Sequence, residues 1–214
     1  MNKLQAIIQI PKKLLTFKGI FKIALLLCSI LSVALLTQCS KSIDPSYYTL
    51  TPTNSGTKAS QKQRTLRIGI DMVSIPEYLD SPYLKVFTTA NEAELLELDQ
   101  WAGPLDLNIA RVLQTNLATY LPYAAIQMAP WDTKFYPDYH LHVDITQFNV
   151  DIHGNSILQA IYTIEKDKNS VNQYQTAFYE KLAVVRPNTI VESMNNQLRK
   201  LTEHIAARFR YINQ

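Results

Sequence analysis

Two histidines and an aspartate, His140, His142 and Asp144, alternate along a segment with β-strand character. Alternate residues of a strand project from the same face, so these three side chains would be neighbours. Two imidazoles and a carboxylate are donors that zinc accepts. The spacing indicates no further ligand, and alternating histidines also occur on solvated sheet faces, so we predict neither a metal site nor a cofactor. We assign His153 to a turn and His204 to the polar side of a helix.

Acid–base or nucleophilic catalysis would need polar side chains that converge in a cleft. Asp80, Asp99 and Asp106 could supply paired carboxylates, but nothing in their spacing brings them together. Serine, histidine and aspartate form no recognisable nucleophile motif. The chain has five glycines and contains no GxGxxG, Walker A or GxSxG sequence. We therefore predict that the protein is not an enzyme.

Aromatic residues are frequent in segments that resemble loops. Two interpretations stay open for them: ordinary partial burial, or a surface that contacts a partner protein. The residues concerned are Tyr78, Tyr83, Trp101, Trp131, Phe135, Tyr136 and Tyr139.

Cys39 offers a different chemistry, because its thiol follows a segment typical of an export signal. Residues 1–38 contain five lysines and no acidic residue, and end in an apolar run over Ile23–Leu36. This run of 14 residues is shorter than the roughly 20 that span a bilayer, and it has the length of a signal-peptide core. Leu36 stands three positions before Cys39, as in the lipobox of bacterial lipoproteins, although Gln38 is atypical there.

We therefore predict that residues 1–38 are removed and that Cys39 becomes an acylated N-terminus, carrying a diacylglyceryl group and an N-acyl chain. Several acyl chains anchor a protein durably, whereas a single chain does not. The alternative is a short anchor that is never cleaved. Ser40, where inner-membrane retention would use aspartate, predicts the periplasmic face of the outer membrane.

Composition limits the remaining possibilities. Without the five lysines of residues 1–38, 16 of the 21 Lys and Arg residues remain against 18 Asp and Glu, a balance of −2. No basic patch is left to indicate nucleic-acid binding. Cys28 leaves with the signal and Cys39 is acylated, so no disulfide framework is expected. We assign 39–65 to the anchor, a short strand and a flexible linker, and 66–214 to a single domain.

Alternating apolar residues predict most of the strands. Leu66, Ile68, Ile70 and Met72 would share the buried face of one strand. In a later strand the alternation changes parity near Thr146–Gln147, which predicts a β-bulge. The predicted strands cover Tyr47–Leu50, Leu66–Ile75, a hairpin of Tyr83–Thr88 and Glu94–Leu98, Ala125–Met128, and an antiparallel meander of 139–152, Ser156–Lys166 and Asn172–Val185.

Two helices complete the predicted fold. One begins after Gly103–Pro104 and ends before Pro122, and the other begins near Pro187, where Thr189 and Glu192 have the spacing of a capping box. Both carry apolar residues at intervals of three and four. We therefore predict an α/β fold, with a mixed, largely antiparallel sheet of five to seven strands and two helices packed on it.

Several blocks of the chain together resemble the PqiC-type auxiliary lipoproteins of ABC/MCE lipid-transport systems. They are Tyr47–Leu50 after an acylatable cysteine, Ile75–Pro82, Trp101–Leu105 with Asn108, Arg111–Leu113, Asn116–Leu117 and Tyr136–Tyr139. The similarity extends from Cys39 to Phe209. The chain departs from the family's pattern at Asn91–Glu92, where asparagine and arginine are usual.

The resemblance implies a non-catalytic protein held at the outer membrane. Its partners would be a periplasmic MCE-domain protein, an inner-membrane transport subunit and further copies of itself in a ring-like homo-oligomer. The candidate residues for the partner surface or its support are Pro76, Tyr78, Leu79, Trp101, Pro104, Leu105 and Asn108. The alternative function is a lipid-anchored protein that itself binds a small apolar ligand beneath the Pro76–Pro82 connection.

Overall fold

The computed structural model describes residues 43–52, 66–166 and 171–212, together with residues 19, 21–22 and 24–29. The chain divides into two units, Met1–Ile43 and Asp44–Gln214. In the first unit the described residues 21–22 and 24–29 are helical. None of the helices in the described part of the chain combines the length and apolar content that a membrane crossing requires. Cys39 and the predicted linker lie outside the described residues.

The described residues of the second unit form eight strands, two α-helices and one 3₁₀ turn. The strands are β1 (Ser46–Tyr48), β2 (Leu66–Ser74), β3 (Tyr83–Thr89), β4 (Glu92–Trp101), β5 (Ala124–Met128), β6 (Tyr139–Val150), β7 (Asn155–Glu165) and β8 (Val171–Lys181). The helices are α1 (Leu105–Tyr120) and α2 (Pro187–Ile212), and the 3₁₀ turn is Glu77–Leu79.

Five strands form the main sheet in the order β5-β2-β6-β7-β8. β2 lies between β5 and β6 and runs parallel to both of them, whereas β6, β7 and β8 form the antiparallel meander. Both long helices contact this sheet. The predicted class, a mixed and largely antiparallel sheet with two helices packed on it, is confirmed.

A smaller sheet has the order β1-β4-β3. The hairpin of β3 and β4 therefore does not extend the main sheet. β1 pairs in parallel with the C-terminal end of β4, with Ser46 opposite Asp99 and Tyr48 opposite Trp101. Pairing between segments this far apart in sequence has no local signal, which is why the sequence indicated strands without dividing them between sheets.

The core lies between the main sheet and the two helices. In α1 the apolar stripe predicted from the sequence is buried, and Ile109, Leu113 and Leu117 are fully buried. In α2 the stripe includes Leu198, Ile205 and Phe209, which are also buried. These residues recur at helical spacing, so each helix covers the sheet with one continuous face.

Two local predictions about α2 and β2 are wrong. α2 begins at Pro187, so Thr189 lies inside the first turn, and its hydroxyl accepts from Arg186 N and donates to Val184 O instead of capping with Glu192. In β2 the register with β6 shifts between Ile70 and Val73. This bulge turns Met72 outward, 77% exposed, and buries Val73 instead. The bulge predicted in β6 is confirmed by a register shift between Ile145 and Gln147.

Candidate functional site

The strand that follows the predicted anchor is fixed to the body of the protein. Beside the β1–β4 pairing, Ala102 N donates to Tyr48 O at 2.8 Å. The Tyr48 hydroxyl donates to Asp99 Oδ1 at 2.9 Å. Burial and this hydrogen bond to Asp99 both raise the pKa of the Tyr48 hydroxyl, so it stays protonated and keeps its role as donor. β1 is therefore held by backbone and side-chain contacts together.

Asn108, on the first turns of α1, clamps the residues after β1. Its Oδ1 accepts from Leu50 N at 2.7 Å and its Nδ2 donates to Leu50 O at 3.0 Å. A side-chain amide has one acceptor and one donor group, so it can satisfy both backbone groups of one residue. The Leu50 side chain is 2% exposed and belongs to the core. Asn195, on α2, adds a third contact by accepting from Thr51 N at 2.9 Å.

Four of the candidate residues line one open cleft of about 260 Å³ next to this clamp. We call it the Trp101 cleft, and its lining consists of Leu79, Asp80, Ser81, Pro82, Trp101, Ala102, Gly103, Pro104 and Leu105. Trp101 N donates to Pro82 O at 2.7 Å, which ties the two walls together. Leu79, Trp101 and Leu105 are buried and shape the cleft from below, whereas Gly103 and Pro104 are exposed on its rim.

Tyr78 and Pro76 hold the connection that forms one wall of the cleft. Pro76 O accepts from Leu79 N in the 3₁₀ turn. The Tyr78 hydroxyl accepts from Phe148 N at 3.0 Å, and its ring packs edge-on against Phe87 at 5.5 Å. Burial raises the pKa of Tyr78. This side chain therefore joins the connection to β6, and Lys85 Nζ donates to Tyr78 O from the hairpin.

The enclosed space beneath this connection is small. It measures about 20 Å³ and is lined by Tyr78, Leu79, Trp101 and Met194, among others. That volume admits about one water molecule, whereas small-molecule sites typically enclose about 300–1,000 Å³. Larger clefts of about 460 and 600 Å³ lie between the hairpin and the outer face of the main sheet, and are open to solvent.

The remaining aromatic candidates do not form one exposed cluster. Phe135 and Tyr139 are buried at 9% and 7% exposure, whereas Tyr136 is 68% exposed. Trp131 packs against Phe135 and against His140. Partial burial therefore accounts for most of this group.

The bulge in β2 brings Asp71 to the two histidines of β6. Asp71 Oδ2 lies 3.3 Å from His140 Nδ1 and 3.0 Å from His142 Nε2, and Glu165 Oε2 lies 3.9 Å from the latter atom. Asp144 instead accepts from the Ser74 hydroxyl at 2.6 Å. Within the described ranges, no group of three or more His, Cys, Asp or Glu side chains is arranged to hold a metal ion.

His204 is half-buried and packed against aromatic rings, whereas the sequence predicts a position on the polar side of a helix. Its Nδ1 lies 3.0 Å from the Tyr162 hydroxyl, and its ring packs edge-on against Tyr162 and Phe178. Burial, and then the positive charge of Arg208, lower the pKa of His204. Burial also raises the pKa of Tyr162 to about 12. The α2 stripe is wider than the apolar residues alone suggested.

The three predicted carboxylates lie in different settings. Asp80 lies in the Trp101 cleft, Asp99 binds the Tyr48 hydroxyl, and Asp106 lies in the first turn of α1. No local sequence pattern indicates that Asp99 and Asn195 help to hold residues 46–52. Asn195 is 144 residues from Thr51 in the chain, so no local pattern could have indicated their contact.

The chain is similar in sequence to lipoproteins of two bacteria. The intermembrane transport lipoprotein PqiC of Escherichia coli K12 is 28% identical over 124 residues, which is 58% of this chain and 65% of PqiC. PqiC of Shigella flexneri matches to the same extent. The aligned segment thus spans just under two thirds of these relatives' own length.

Two crystal structures share the fold. One, of an uncharacterized protein, superposes with a TM-score of 0.66 at 17% identity and covers 78% of this chain and 99% of its own. The other, a protein from Xanthomonas campestris, has a TM-score of 0.60 at 15% identity and covers 75% and 92%. At these identities the likeness shows the fold alone.

The model of one protein family, described as the ABC-type transport auxiliary lipoprotein component, matches residues 48–206. The match begins in β1 and ends in α2, so it includes the clamp, the Trp101 cleft and the main sheet. The resemblance inferred from the sequence blocks is thereby confirmed. The chain belongs to the family of ABC-type transport auxiliary lipoprotein components.

Proposed function

We propose that this chain is a lipoprotein anchored to the outer membrane through acylated Cys39, and that it docks a periplasm-spanning, MCE-type lipid conduit to that membrane. Its partners are a periplasmic MCE-domain protein and an inner-membrane transport subunit. The observation that carries the proposal is the clamp on residues 46–52. A lipid anchor that continues directly into a fixed strand positions the folded domain relative to the membrane, whereas a long free linker would not.

The reach of the tether supports this role. From Cys39 to Ser46 the chain takes seven Cα steps, so that an extended segment covers at most about 25 Å. The start of β1 therefore stays near the membrane surface, and the neighbouring Trp101 cleft stays near it as well. Lipid tails cross water only at high cost, so a shielded path must meet the membrane at a fixed place.

The Trp101 cleft is the contact surface that we assign to the conduit. Its buried side chains, Leu79, Trp101 and Leu105, hold the shape, and its rim at Gly103–Pro104 is exposed. Aromatic residues are enriched at the centres of protein interfaces. We further propose that the protein works without catalysis and as a ring-like homo-oligomer.

We favour docking over the alternative, in which the protein itself holds an apolar ligand beneath the Pro76–Pro82 connection. The enclosed space there is about 20 Å³, which is too small for an acyl chain. Native mass spectrometry that found a stoichiometric lipid in the purified protein would reverse this choice.

Two measurements on cells test the proposal. Affinity purification of the full chain from solubilised envelopes should recover an MCE-domain protein. Intact mass should show a mature chain that begins at Cys39 with acyl groups attached, and a Cys39→Ala variant should lose both processing and acylation. A wild-type chain without acyl mass, or a Cys39→Ala variant that fractionates as wild type, contradicts the anchor.

A further inference from the structure

Strand β8 forms one edge of the main sheet along its whole length. It pairs with β7 through eleven consecutive positions, from Asn155 opposite Lys181 to Glu165 opposite Val171, without a register shift. On its other side the described part of the chain places no strand. A long, regular edge presents unpaired N–H and C=O groups that can pair with another chain.

Two other free edges of the sheets, on β4 and β5, are protected. The free part of β4 carries Glu92, Glu94 and Glu97, and its register with β3 is irregular. β5 has five residues, and Gln114 Nε2 donates to Ile126 O at 3.0 Å. Acidic side chains, bulges, short strands and covering side chains are the devices by which proteins prevent edge pairing.

β8 has no register shift between residues 171 and 179, and the side-chain contact to its backbone there is that of Gln197 Nε2 with Phe178 O at 3.3 Å. This segment contains no charged residue and no proline. Its charged residues, Glu180 and Lys181, lie at the C-terminal end and are engaged within the chain, with Asn196 and Lys200 and with the His153 carbonyl respectively. The edge is therefore free to pair over most of its length.

The side chains of β8 indicate which chain it pairs with. Val171 and Tyr179 are 53% and 66% exposed and point to the solvent face of the sheet. Each lies four residues from Gln175, on opposite sides. In an antiparallel pair related by a two-fold axis at Gln175, Val171 of each copy lies opposite Tyr179 of the other. β-branched and aromatic residues are favourable cross-strand partners.

We infer that β8 pairs with β8 of a second copy of this chain, antiparallel and centred on Gln175. A strand without charge meets no repulsion when it faces its own copy, and a two-fold contact uses the same patch on both subunits. The inference rests on the proposed homo-oligomer and names one of its contacts. A contact with two-fold symmetry is fully used by two subunits, so any assembly larger than a dimer needs a second, different contact.

Charge substitutions at the two-fold axis test the inference. In the pair, the two Gln175 side chains are neighbours, with Cβ atoms about 5 Å apart. The full chain is purified in detergent as wild type, Gln175→Lys and Gln175→Glu, and its mass is measured by light scattering and sedimentation. Gln159→Lys is the matched control, because Gln159 lies on the same face of the neighbouring strand β7, away from the edge. Circular dichroism checks that each variant is folded.

We expect each Gln175 variant to have a lower mass than the wild-type assembly, a monomer's mass where that assembly is a dimer, and an equimolar mixture of the two to recover the wild-type mass. Gln159→Lys should assemble as wild type. Three results overturn the β8 contact: an assembly unchanged by Gln175→Lys, a mixture that stays dissociated, or a monomeric wild type. The last result also refutes the proposed homo-oligomer, whereas the first two leave it standing.

Discussion

Removing the Asn108 side chain should loosen the anchor strand and lower the stability of the protein. Asn108→Ala deletes two hydrogen bonds to Leu50, of 2.7 and 3.0 Å. The net contribution of one hydrogen bond is about 0.5–1.5 kcal/mol, so we expect a loss of about 1–3 kcal/mol. The upper part of this range applies because Leu50 is buried, so that its N–H would lose its partner while its C=O would keep the 3.4 Å bond from the Thr49 hydroxyl.

Urea unfolding measures the loss, and hydrogen exchange shows where it occurs. The amides of residues 46–52 should exchange faster in Asn108→Ala, while those of β6 and β7 should keep their protection. Asn195→Ala is the matched control, since it removes two hydrogen bonds to Thr51, both exposed to solvent, and should cost less than about 1 kcal/mol. If Asn108→Ala unfolds like wild type, or if its exchange rises uniformly, Asn108 is not a clamp.

Three further substitutions test other parts of the structure by the same unfolding measurement. Leu50→Ala should lose about 2–5 kcal/mol, because it removes a buried side chain; a loss below about 1 kcal/mol would place the segment outside the core. Gly154→Ala should lose at least about 1–2 kcal/mol, because Gly154 has a φ of 80° and an added Cβ would lie 2.5 Å from Leu182 O; unchanged stability would contradict this conformation. The free energy of unfolding should fall as the pH drops below about 6.5, because burial lowers the pKa of His204 in the folded protein and the unfolded chain takes up the proton first. The contribution of neutral His204 to stability is fully present above pH 6.5 and is lost as the pH falls through the lowered pKa. His204→Gln should therefore weaken the pH dependence of stability between pH 7 and pH 5, and an identical pH dependence in the variant would refute this assignment.

Local patterns predicted the elements of the body well. The alternation along β6, including its change of parity at Ile145–Gln147, and the apolar stripes of α1 and α2 each depend on residues a few positions apart. Such patterns follow directly from the geometry of strands and helices. The sequence predicts the wrong face of β2 for Met72, because the bulge in β2 has no signature in the residues around it.

The clamp and the two sheets could not be predicted in the same way. Asn108 was a candidate residue, but its contact with Leu50 spans 58 positions, and the Tyr48–Asp99 bond spans 51. Both depend on how β1 meets β4, which local pattern does not determine. The sequence therefore indicates Asn108 as a candidate residue and leaves open what it contacts.

Photo-crosslinking in intact cells tests the docking role most directly. Gly103 lies exposed on the rim of the Trp101 cleft, and a Cβ added there meets no heavy atom within 4 Å beyond its chain neighbours, so this position is suited to a photoreactive amino acid. Ala207, exposed on α2, is the control position. We predict an adduct with the MCE-domain protein from position 103 and none from position 207. Adducts of equal yield from both positions, or no adduct from position 103, would contradict docking through the Trp101 cleft.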